Sequence, residues 1–130
     1  MIKIEYFGRV GEREKKSFRR IANRTLIDSD EKSILLEVMF VSKKKIANLN
    51  LKFRSIDKVT DVLSFPQATV PGKESVFGTI CICPEYAKEM GESLDLLFHH
   101  GLMHLMGYNH ETNEPEWSKM YEKSKIPAER

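Results

Sequence analysis

Residues 34–41 read Ile-Leu-Leu-Glu-Val-Met-Phe-Val, eight positions with a single charge among strand-forming apolar side chains. Eight residues suit a strand better than a buried helix, and an apolar run without alternation marks a strand buried on both faces. Such a strand calls for a small sheet with helices packed against it. A chain of 130 residues has room for one such unit, so a single domain spanning 1–130 is expected. Hydrophobic residues make up 41% and charged residues 31%, the balance of a folded globule rather than a disordered tail.

The remaining pattern supplies partners for that strand. Ile2, Ile4 and Tyr6 alternate with more polar neighbours and predict a first strand. From Glu12 onward, Phe18, Ile21, Ala22, Thr25 and Leu26 fall at helical spacing, while Arg13, Lys16, Arg20 and Arg24 read as a solvated basic face. Ser42 can cap a helix that carries Ile46, Leu49 and Phe53. A third strand is expected over 60–65, stopped by Pro66, and a fourth over 76–83, stopped by Pro84. Residues 85–106 read as helical with a weak point at Gly91. A last helix capped by Thr112 or Asn113 would place Pro115 in its first turn and Trp117, Met120 and Tyr121 inward. Together these elements predict one small four-stranded sheet with helices packed against it.

No segment approaches the roughly 18 consecutive apolar residues of a membrane span. The start, MIKIEYFGRV, lacks the layout of a signal peptide, so the cytoplasm is the expected compartment. Twenty-one basic against nineteen acidic residues leave a net charge of +2, too mild to name a nucleic-acid partner. Cys81 and Cys83, one residue apart, are unsuited to a structural staple and are expected to pack in the interior.

All four histidines lie within twelve residues: His99, His100, His104 and His110. His100 and His104, four apart, project from the same helix face one turn apart. Gly107 can end the helix in a left-handed conformation, and the turned chain can return His110 as a third imidazole. Three imidazoles and one open position describe a catalytic zinc site, with one ion per chain. At about 100° per residue, Leu94, Leu97, Phe98, Leu102 and Leu105 form an apolar arc with His100 and His104 at one edge. His99 falls nearly opposite the arc and is expected at the surface or in a local hydrogen bond.

The pattern has the outline of the zinc peptidase motif H-E-x-x-H-x-x-G-x-x-H. Gly101 stands where that motif places its catalytic glutamate. The metal spacing survives and the peptidase base does not.

Residues 100–110, HGLMHLMGYNH, resemble the signature H-G-x-L-H-L-x-G-Y-D-H of the YbeY endoribonucleases. Leu49, Asn50, Phe53 and Arg54, followed by TDVLSFP at 60–66, resemble the same family's L-N-x-x-Y-R and T-D-V-L-S-F-P stretches. The resemblance implies an α+β fold with a mixed four-stranded sheet, zinc held by His100, His104 and His110 on a helix like that of the zinc peptidases, and an Arg54 that meets RNA phosphate. It further implies cleavage of single-stranded RNA in maturation of the 16S rRNA 3′ end and in ribosome quality control. RNA and the small ribosomal subunit would be the partners, with no membrane and no DNA. Asn109 and Thr79 stand where the family favours aspartate, Met103 where leucine is commoner and Val59 where proline is frequent. The stretch from Pro84 to His100 is also shorter than usual for the family. No general base stands out, and Glu111 reads equally well as an exposed acid.

Two other classes stay open on the sequence. One is a zinc peptidase or amidase with a different base. The other is a non-catalytic RNA-binding ribosome-assembly factor with structural zinc, its basic groove formed by Arg54, Lys52 and Lys43 to Lys45. The oligomeric state is not legible.

Overall fold

The computed structural model describes residues 2–27, 34–66 and 76–107. The elements follow the order β1 (Ile2–Phe7), α1 (Glu12–Thr25), β2 (Ile34–Phe40), α2 (Lys43–Arg54), β3 (Val62–Pro66), β4 (Val76–Ile82), α3 (Pro84–Glu89) and α4 (Leu94–Leu105). The strands form one mixed sheet in the order β1-β2-β4-β3. β1 and β4 run parallel to β2, and β3 runs antiparallel to β4. Parallel neighbours need a crossover, which α1 supplies between β1 and β2.

β2 is an interior strand, and Ile34, Leu35, Leu36 and Val38 are all buried. Side chains alternate across the sheet, so its two faces bury different sets. Ile4, Ile34, Leu36, Val38, Ile80 and Ile82 meet Phe18, Ile21 and Ala22 of α1 and Leu97, Phe98 and Leu102 of α4. Phe18 and Phe98 stack with ring centroids 4.4 Å apart and planes 7° from parallel. Each such ring contributes roughly 1.5–3 kcal/mol by leaving water. On the opposite face, Leu63, Cys81 and Cys83 pack with Ile46 of α2. Helices α1 and α4 therefore cover one face and α2 covers the other. The cysteines take the interior positions expected of them.

Ser42 caps α2 as its sequence suggests, its hydroxyl oxygen accepting from Lys45 N at 3.1 Å. Two boundaries differ from expectation. Pro66 belongs to β3 rather than ending it, which an edge strand tolerates because one side of its backbone faces away from the ladder. The run expected at 85–106 is two helices. Pro84 opens α3, Gly91 breaks the chain at φ +68°, and the Ser93 hydroxyl restarts it by accepting from Leu96 N at 3.3 Å. The predicted last helix lies outside the described residues.

Candidate active site

Helix α4 is covered around most of its circumference. Leu97, Phe98, Gly101, Leu102 and Leu105 are buried, and so are His99 and Met103 on the far side. The strip left open follows the row Leu96, His100, His104: Leu96 and His100 are half-buried and His104 is exposed. An i, i+4 row on an otherwise enclosed helix presents two imidazoles at a rigid surface. For His99, one of the two expected settings is overturned. It is fully buried rather than at the surface. The wheel locates the side chain opposite the sheet, but α4 is enclosed there as well, so that direction does not lead to solvent.

Helix α4 ends after these histidines, and Gly107 turns the chain at φ +93°, a conformation that favours glycine. Among the described residues no group of three metal-ligating side chains occurs, and His110, Asn109 and Glu111 lie outside them. His100 and His104, paired and open, fit the part of a zinc donor set that falls within the described chain.

Gly101 has a packing reason to be glycine. A β-carbon there would lie 2.7 Å from Ile80 Cγ2 and 3.2 Å from Cγ1, so α4 rides directly on β4. One turn further on, a β-carbon at Gly78 would run into Leu105 and come within 2.9 Å of the Phe65 carbonyl oxygen. A glutamate at position 101 would have to enter this contact. The peptidase base is excluded by the close approach of helix and sheet.

Arg54, the last residue of α2, reaches the edge strand. Its Nη2 donates to the Ser64 carbonyl at 2.8 Å, and its guanidinium carbon lies 5.9 Å from the Phe65 ring centroid. Ser64 pairs with Ile80, and Ile80 fills the space before Gly101. The carbonyl that Arg54 holds therefore belongs to the β3 residue registered with Ile80, the residue that meets Gly101 of α4 from the other face of the sheet.

The loop that follows α2 is pinned by a residue whose role the sequence pattern does not reveal. Asn50 is buried, its Nδ2 donates to the Lys58 carbonyl at 3.0 Å, and its own carbonyl accepts from Ile56 N at 3.3 Å. Ser55 adopts a left-handed conformation at φ 59° to close the helix. Asn50 therefore holds the 55–58 segment against α2 and fixes where Arg54 emerges.

Beside Arg54 lies a groove of about 670 Å³ between α2 and the sheet, with Lys45, Phe53, Phe65 and Thr79 in its lining. Thr79 donates to Glu37 Oε1 at 2.8 Å across the β2–β4 pair. A hydroxyl at position 79 thus works with a carboxylate on the neighbouring strand. Cys81 sits on the groove floor, its thiol pushed up to about 11, chiefly by burial; Lys45 lowers it and Glu37 raises it. Of the lysines considered for a basic groove, Lys45 lines it, whereas Lys43 pairs with Glu89 of α3.

The Endoribonuclease YbeY family profile matches residues 8–128. An Endoribonuclease YbeY of Nautilia profundicola is 44% identical over 87 residues, covering 62% of this chain and 63% of that protein, under two thirds of its length. Its namesake in Sulfurihydrogenibium is 33% identical over 117 residues, covering 83% of this chain and 77% of the relative. That of Staphylococcus carnosus is 33% identical over 144 residues, 97% and 94% respectively. The solution structure of a Thermotoga maritima protein superposes with a TM-score of 0.53 at 28% identity, covering 95% of this chain and 84% of that one. The α+β fold, the two histidines one turn apart on α4 and the arginine bonded to the edge strand thus occur in a chain that matches a nuclease family. The chain belongs to the Endoribonuclease YbeY family.

Proposed function

We propose that this chain is a zinc-dependent, single-strand-specific endoribonuclease acting in the cytoplasm, in maturation of the 16S rRNA 3′ end and in ribosome quality control. Family membership supports the nuclease reaction and the rRNA setting. The observation that carries the site is the i, i+4 pair His100 and His104 on the least covered strip of α4, with Arg54 anchored to the edge strand by its bond to Ser64.

His100, His104 and His110 would hold one zinc ion, with α4 serving as a zincin-like metal helix. Bound there, zinc would lower the pKa of a coordinated water from 15.7 towards ~7 and polarise a phosphoryl oxygen. The protein's own contribution begins with rigidity. Packing of Gly101 against Ile80 holds close to the sheet the helix from which the two imidazoles project. Arg54 spends one donor on Ser64, and a guanidinium carries five. Its remaining N–H groups suit a phosphodiester whose transition state gathers negative charge.

The test incubates purified protein with a structured RNA carrying single-stranded tails, beside a mixed-peptide pool, each with and without a chelator. Cleavage confined to the tails, abolished by chelator and restored by zinc, is expected. Chelator-sensitive peptide cleavage with untouched RNA would reverse the reading.

A further inference from the structure

Beside Arg54 the groove carries an aromatic and cationic array that the proposed chemistry does not use. Phe53, next to Arg54 at the end of α2, is 55% exposed although apolar. Its ring lies 5.0 Å from that of half-buried Phe65, tilted by 57°. Lys52 Nζ stands 5.2 Å over the Phe53 ring, and the Arg54 guanidinium flanks Phe65. Lys45 lines the groove from the first turn of α2.

We propose that Phe53 and Phe65 form a stacking platform for an unpaired RNA base next to the phosphate held by Arg54, with Lys45 meeting a neighbouring phosphate. This inference rests on the ribonuclease reading and adds a recognition subsite to it. An exposed phenyl ring bordered by cations offers what a single-stranded nucleotide presents, a flat π-face joined to an anion. A base in a duplex has both faces occupied by its neighbours, so the platform selects single strands by geometry. A groove of about 670 Å³ falls in the size range of small-ligand sites. Stacking reads no base edge, and the platform therefore carries little sequence preference of its own.

The test is fluorescence anisotropy of a labelled octauridine ribonucleotide, its integrity checked by gel after each titration. Phe53→Ala should raise the dissociation constant roughly 10-fold, within the range measured for losing one base–aromatic stack. Phe53→Leu should be as weak as Phe53→Ala, since leucine keeps apolar area and loses the π-face. Walking one abasic position along the strand should cost the wild type a similar factor at one site and cost Phe53→Ala nothing more there. Phe53 is largely exposed at a helix end, so both variants should melt close to the wild type. Wild-type affinity in Phe53→Ala or Phe53→Leu, while the unaltered protein still binds and cuts RNA, overturns the platform and leaves the nuclease reading standing. An unaltered protein that neither binds nor cuts the RNA overturns both.

Discussion

Gly101 and Ile80 touch so closely that a single added carbon on the glycine would lie 2.7 Å from the isoleucine Cγ2. That contact sets the height of α4 above β4, and with it the position of the histidine row relative to the edge strand.

Gly101→Ala therefore carries two opposing effects. Alanine favours helix by about 1 kcal/mol over glycine, and overpacking a dense core typically costs 1–3 kcal/mol. Because Ile80 is fully buried and cannot swing away into solvent, the packing cost should win. Urea titration should show a net loss of ~1 kcal/mol with an unchanged slope. Gly101→Glu should lose much more and gain no peptidase activity, because the carboxylate would have to enter the α4–β4 contact. Peptide cleavage by that variant would mean the close approach is not what excludes the base.

Asn50 tests whether the α2–β3 connection positions Arg54. Asn50→Ala removes a part-buried hydrogen bond to the carbonyl of exposed Lys58, a loss of about 0.5–1.5 kcal/mol. Beyond stability, RNA cleavage under single-turnover conditions should slow in Asn50→Ala while zinc content stays at the wild-type level. An unaltered rate would separate the segment from the site.

Much of this arrangement is legible in the sequence, for identifiable reasons. The apolar run at 34–41 announces an interior strand because burial on both faces leaves no polar alternation. The i, i+4 spacing of His100 and His104 survives folding because a helix preserves it whatever surrounds it. His99 does not, because its burial depends on what covers the far side of α4, and periodicity along one helix holds no information about that. What Asn50 and Thr79 bond to is illegible for a similar cause: their partners, the Lys58 carbonyl and Glu37, lie across a loop and a strand pair. Pro84 stops β4 as its sequence suggests and also serves as the first residue of α3, where its missing N–H costs nothing.

Cys81 gives a pH-dependent expectation. Burial raises the Cys81 thiol from 9.0 to about 11. A folded-state pKa above the unfolded one means the native state keeps its proton longer, so the contribution is complete below pH 9 and is lost as pH rises towards 11. At pH 8, a thiol reagent should label neither cysteine in the native protein, because both are buried, and both in denaturant. Rapid native labelling of Cys81 would show that the groove floor is open.

The histidines separate by role. His104→Ala, at an exposed position, should cost little stability and remove the metal, as should His100→Ala and His110→Ala. His99→Ala empties a fully buried position and should cost stability, about 2 kcal/mol or more on the scale of large-to-small core substitutions, while zinc is retained. Elemental analysis alongside thermal melts decides it. Full zinc occupancy in the triple variant would sink the ligand assignment.

The most direct measurement is single-turnover cleavage of single-stranded RNA at saturating enzyme, with zinc content determined on the same samples. The wild type should cut with about one zinc per chain, and His104→Ala should lose zinc and cleavage together. Arg54→Ala should keep its zinc and slow roughly 100-fold or more, the scale of one lost transition-state donor. Arg54→Lys should recover part of the rate, since an ammonium keeps the charge without the planar fork. A zinc-free His104→Ala protein that cuts RNA at the wild-type rate would contradict the account.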